Sequence, residues 1–133
     1  MYQPNKIARL SAILIALPCI AIAGCNEPST QLEMNMCAQK EFDRNDKDLN
    51  LAYQNYRDGL PESQRKLLRN AQISWIKFRD ASCAFEASAV DGGSMQPMVY
   101  ALCLSDYTKK RLERIVALSE CKLMPNPGKD CAY

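Results

Sequence analysis

Seven cysteines and no histidine set the chemical limits of this 133-residue chain. Without an imidazole there is no Ser-His or Cys-His catalytic pair, no histidine-ligated zinc and no imidazole pH switch. The cysteines lack the paired C-x-x-C spacing of a zinc or redox site, so neither a metal nor a cofactor is expected. Glu33, Glu41, Glu62, Glu86, Glu113 and Glu120 are scattered and read as solvated helix faces. Ser63 and Ser74 stand in no G-x-S-x-G elbow, and Asp91-Gly92-Gly93-Ser94 lacks the spacing and lysine of a phosphate loop. These residues point away from an enzyme. What remains is a set of thiols able to pair and a few polar side chains on otherwise apolar faces.

The first residues read as an address. Lys6 and Arg9 precede an apolar run from Leu10 to Leu17, Pro18 breaks it, and Ala21-Ile22-Ala23 follows. Basic start, short apolar core and A-x-A exit describe a signal peptide over residues 1–23. The run is shorter than the roughly 20 apolar residues of a membrane span. Export places the cysteines in an oxidising compartment, periplasmic or extracellular, where disulfides outcompete metal. Ile22-Ala23-Gly24-Cys25 also reads as a lipobox, which would anchor the protein to the envelope through a lipidated Cys25. Cysteine parity favours the soluble form. With Cys19 gone, Cys25, Cys37, Cys83, Cys103, Cys121 and Cys131 make an even set, whereas lipidation leaves one thiol over. Losing Lys6 and Arg9 also leaves 15 bases against 15 acids, so the formal +2 belongs to the leader and no nucleic-acid partner is implied.

Three helical segments must position the rest. Thr30-Gln31-Leu32-Glu33 is a capping box that opens a first helix. Ala38, Phe42, Asn45, Leu49, Ala52, Tyr53 and Tyr56 form one face of it, and Gly59 and Pro61 end it near Asp58. A second helix starts at Pro61-Glu62 and runs to about Ala89, with Leu68, Ala71, Trp75, Phe78 and Ser82 at helical spacing and Leu67, Ser74 and Phe85 beside them. Asp91 to Ser94 form a loop. Pro97 opens a third helix, faced by Tyr100, Leu104, Tyr107, Arg111, Ile115 and Leu118, to about Cys121. The expected fold is all-α, a small antiparallel three-helix bundle over residues 24–133. Its core spans about residues 30–120, and an irregular tail covers 122–133. Disulfides staple it. Six cysteines allow 15 pairings; the set that keeps every bridge local is Cys25–Cys37, Cys83–Cys103 and Cys121–Cys131.

Gln72 and Arg79 flank Trp75 on the second helix, and Arg111 interrupts the apolar stripe of the third. A buried arginine is costly unless paired, and Asp46 and Asp80 are the candidate partners. Gln72, Trp75, Arg79, Asp80 and Arg111 are therefore read as a polar network that fixes helix register. A recognition patch is the alternative.

Five strings carry a resemblance. They are Glu33-Met34-Asn35-x-Cys37-Ala38; Asp46-x-x-Leu49-Asn50-x-x-Tyr53; Ala71-Gln72-x-x-Trp75-x-x-Phe78-Arg79-Asp80-x-x-Cys83; Gly92-Gly93-Ser94-Met95-x-Pro97-Met98; and Cys103-x4-Thr108-x-x-Arg111. Together, over roughly Cys25 to Leu118, they resemble the N-terminal domain family of the LprI-type lysozyme inhibitors. The resemblance implies a small, disulfide-bonded, helical envelope protein without catalysis. It also implies a family cysteine at Cys25, ahead of Cys37, which supports a Cys25–Cys37 bridge over lipidation. Its partner would be lysozyme, inhibited by steric occlusion; a structural or stress-related envelope protein is the alternative.

Two surfaces could serve such binding. Lysozymes are typically basic, and residues 25–60 hold seven acids against four bases. Asp43, Asp46 and Asp48 are the candidate acidic contacts, against the alternative of ordinary solvated helix charge. The loop with Gly92, Gly93, Ser94 and Met95 is the second candidate, against the alternative of a connection whose glycines serve backbone demands.

Overall fold

The computed structural model describes residues 25–122. The expected leader, residues 1–23, and the tail beyond Lys122 lie outside the described residues. Three helices follow in order: α1 (Gln31–Asp58), α2 (Glu62–Ala87) and α3 (Gln96–Lys122), with a 3-10 turn at Ser88–Val90 after α2. At 28, 26 and 27 residues, each is about 40 Å long. The described residues contain no strand. The fold is the all-α antiparallel three-helix bundle read from the sequence.

Local chemistry explains the boundaries. The Thr30 hydroxyl accepts from the Glu33 backbone N–H at 3.2 Å, and the Glu33 carboxylate accepts from the Thr30 and Ser29 backbone N–H groups at 3.1 and 2.8 Å. This is the complete capping box, extended by the Ser29 hydroxyl. Gly59 and Pro61 separate α1 from α2 with a turn so short that the chain must reverse. The loop before α3 is a second reversal. There Gly92 holds φ +71°, and a Cβ on Gly93 would lie 3.0 Å from the Val90 carbonyl oxygen. Both glycines therefore meet backbone demands.

The helices run up, down and up, so α1 and α3 are parallel and α2 opposes both. Packing is uneven. α1 lies along α3, α2 rests on α3, and α1 and α2 touch sparsely. The core is thin: the largest fully buried side chains are Leu49, Ile115, Thr108 and Cys83, so a hydroxyl and a half-cystine rank among them. Covalent staples supply part of what burial does not. Cys25 is joined to Cys37, with Cα atoms 5.4 Å apart, and Cys83 to Cys103, 5.5 Å apart. Cys121 is disulfide-bonded as well; the partner expected for it, Cys131, lies outside the described residues.

One helix face differs from the sequence reading. On α2 the buried residues are Gln72, Arg79, Cys83 and Ala87, whereas Ala71 and Phe78, and Leu67, Ser74 and Phe85 beside them, are exposed. The helix is rotated so that the Cys83 sulfur reaches Cys103 and the Arg79 guanidinium reaches its partners on the other two helices.

The Glu33 cap makes a pH-dependent contribution. Hydrogen bonds from Ser29, first its backbone N–H and then its hydroxyl, hold the Glu33 carboxyl below its ordinary value of 4.5. The folded state thus binds fewer protons than the unfolded state around that pH. Its stabilisation is complete above 4.5 and is lost as the pH falls through the lower folded value. Urea midpoints measured between about pH 3 and 5 should fall more steeply for the natural protein than for Glu33→Gln.

Candidate functional site

The residues with unusual chemistry meet where the three helices face one another. Arg79, on α2, is only 7% exposed. Its Nε donates to Asp80 Oδ1 at 2.9 Å, and Nη2 reaches the same oxygen at 2.9 Å. Nη1 donates to the Thr108 hydroxyl of α3 at 3.1 Å and lies 3.5 Å from Asp46 Oδ1 of α1. The guanidinium also stacks over Phe42 and Trp75, 5.3 and 5.1 Å from their ring centroids. One cation therefore draws on all three helices. A charge buried this far is tolerated only when paired and hydrogen-bonded, and here both conditions hold.

A second bond lies further along the same interface. Arg111 Nε donates to Gln72 Oε1 at 3.0 Å, and the Arg111 guanidinium lies 5.7 Å from the Trp75 ring centroid. Burial, and after it the neighbouring Arg114, lower the Arg111 pKa from its ordinary value. Trp75 thus lies near two guanidinium groups, those of Arg79 and Arg111. The geometry brings together all five network residues expected from sequence, with Asp46 as a partner to Arg79.

Sequence reasoning missed the rest of the interface. Asn45, buried on α1, donates to the Ser105 hydroxyl of α3 at 2.8 Å, and Ser105 donates to Glu41 at 3.3 Å. Asn45 was placed on the apolar face of α1, and a polar residue there signals a partner across the bundle. Ser105 carries no such signal. Thr108 stands three residues before Arg111, on the same helix side, and that spacing marks it.

The acidic residues of α1 do not form one surface. Asp43 is exposed and accepts from Gln39; Asp46 accepts from Asn50 and faces Arg79. Asp48, also exposed, lies on another side of the helix, at a two-residue offset from Asp46. Asp43 and Asp46 line a shallow groove with Lys47, Asn50, Leu51 and Gln54, and Asp48 is outside it.

The loop is ordered by its own polar groups. The Gly92 N–H donates to Gln96 Oε1 at 3.2 Å, and Gln96 Nε2 donates to Asp91 Oδ1 at 2.9 Å. Asn35, on the first turns of α1, donates to the Ser94 carbonyl at 3.0 Å. The loop Asp91–Met95 and the Cys25–Cys37 segment therefore share one end of the bundle. Beside them a groove of about 350 Å³ is lined by Met34, Met98 and Leu102, with Lys40, Glu41 and Arg44. Among the described residues no three Asp, Glu or Cys side chains group to hold a metal ion.

The described residues thus form a helical domain held by disulfides, with a buried cation between its helices and a pinned loop at one end. The chain belongs to the LprI lysozyme inhibitor family, whose model matches residues 24–115. It is similar to an uncharacterized protein of Rhizobium meliloti (strain 1021), 28% identical over an alignment 133 positions long that spans 85% of this chain and 96% of the relative. No solved structure matches.

Arg79→Ala should cost about 2–3 kcal/mol, because it strands the Thr108 hydroxyl and removes the charge facing Asp46. Arg79→Lys should not restore it, since an ammonium cannot make the guanidinium's divergent bonds. Urea melts followed by circular dichroism check both. A recognition role would instead leave the melts unchanged.

Proposed function

We propose that this protein is exported and inhibits a lysozyme by sitting over the enzyme's saccharide-binding cleft, performing no chemistry itself. Family membership supports this reading. The observation that carries it is the convergence at one end of the bundle. The Cys25–Cys37 staple, the capped start of α1 and the Gly loop lie together there, and Asn35 ties the loop to α1. The Cys83–Cys103 bridge holds the two helices that flank the loop. An end locked in this way loses little conformational entropy on binding, which is the main cost that a protruding element carries into a cleft.

Charge has a separate role. The acidic excess of residues 25–60 attracts a basic enzyme and speeds encounter more than it deepens affinity. Asp43 and Asp48 serve this role, since Asp46 is engaged with Arg79. No helix among the described residues is long and apolar enough to cross a membrane. We propose cleavage after Ala23, with Cys25 used for the bridge to Cys37 and not for a lipid.

Purified protein titrated into lysozyme acting on cell walls should slow the loss of turbidity. No inhibition and no complex with any lysozyme class would remove this reading. Ser94→Trp, which adds bulk to the exposed loop, should weaken inhibition about tenfold, or ~1.4 kcal/mol. Asp43→Asn with Asp48→Asn should instead slow association and flatten its salt dependence while leaving dissociation unchanged. Intact mass of the exported protein should match an N-terminal Gly24 with all thiols oxidised; a diacylglyceryl group on Cys25 would contradict the soluble form.

A further inference from the structure

We propose that the outward face of α2 docks on a lipid surface with anionic headgroups. The helix is patterned inside out. Its inward positions include the buried polar residues Gln72 and Arg79. Its outward stripe is Leu67, Ala71, Ser74, Phe78, Ala81 and Phe85, at steps of four and three. All six are exposed and none is charged. Leu67 is 70% exposed, Phe78 58% and Phe85 79%. Phe78 meets the edge of Tyr107 at 5.8 Å and still leaves most of its ring in water. An apolar stripe of this length on a helix whose packed face is already satisfied marks a surface meant to be covered.

Charge chooses the occupant. Lys66 and Lys77, both exposed, stand next to Leu67 and Phe78, and one exposed acid, Glu86, stands next to Phe85. α2 and α3 each carry two more bases than acids, Arg79 of α2 being buried and paired, while α1 carries two more acids than bases. A second copy seated on the stripe would bring two basic α2–α3 pairs together, and a basic protein would meet the same repulsion. An interface with phenylalanine and leucine in the acyl boundary and lysines at anionic headgroups satisfies both features. The long lysine stems let the ammonium groups reach the headgroups while the stripe lies below them. The stripe runs along the length of α2 and only its last member, Phe85, nears the end proposed to meet lysozyme; Lys66→Gln, at the far end of the helix, therefore tests vesicle binding without touching the lysozyme reading.

The test is co-sedimentation of the protein, unlipidated and without its predicted leader, with two kinds of vesicle. One is phosphatidylcholine containing phosphatidylglycerol; the other is phosphatidylcholine alone. The expected result is binding to the anionic vesicles only, released by high salt. Phe85→Ser, at a side chain too exposed to affect folding, should lower partitioning about tenfold. Lys66→Gln and Lys77→Gln should each lower it about fivefold at low salt. Circular dichroism should show unchanged helicity in all three variants. Absence of binding, equal binding to both vesicles, or binding unaltered by Phe85→Ser would overturn the proposal. So would a dimer that Phe85→Ser abolishes, which would give the stripe to a second copy.

Discussion

The bundle depends on the burial of one guanidinium. Arg79 is reached by Asp46 from α1 and Thr108 from α3, is held by its neighbour Asp80, and lies against the Phe42 and Trp75 rings. An apolar contact tolerates sliding by a fraction of a turn. A buried cation does not, because any shift that loses a partner leaves charge unpaired in a low-dielectric site. We propose that the ion pair contributes register more than net stability. That matters in a thin core, where, among the described residues, Leu49 and Ile115 are the large aliphatic side chains that are fully buried.

The rotation of α2 follows from this constraint and from the Cys83–Cys103 bridge, one helical turn away. Turning Arg79 and Cys83 inward turns Phe78 and Phe85 outward. The exposed stripe is thus a consequence of how the interior is organised. The helix that stabilises the bundle with polar groups is also the one that presents phenylalanine to the surroundings.

Much of this was legible in the sequence, for identifiable reasons. The start of α1 was readable because Thr30 and Glu33 form a local motif whose hydrogen bonds need no tertiary partner. Helix ends at Gly59–Pro61 and around Gly92–Gly93 were readable because glycine and proline act on their own backbone. The Arg79 cluster was readable in part, since arginine on an inward face requires acids nearby, and Asp46 and Asp80 were the ones in reach. The inward face of α2 was not. Ala71 and Phe78 fit helical spacing as well as Gln72 and Arg79 do, and hydrophobicity alone chooses the wrong pair. Only the positions of Cys103 and Thr108 on another helix decide between them. The pairing of Asn45 with Ser105 was hidden for the same reason, as it joins residues 60 apart in sequence. The acidic group on α1 shows the converse. Asp43, Asp46 and Asp48 are close in sequence, yet the helix separates them and interior pairing engages Asp46.

The functional account rests on one end of the molecule, where a staple, a helix cap and a pinned loop meet. Hydrogen exchange of the protein with and without a bound lysozyme tests it most directly. Slowed exchange confined to residues 25–37 and 91–98 is the predicted result. Protection confined to α2, or no protection anywhere at saturating lysozyme, would contradict it.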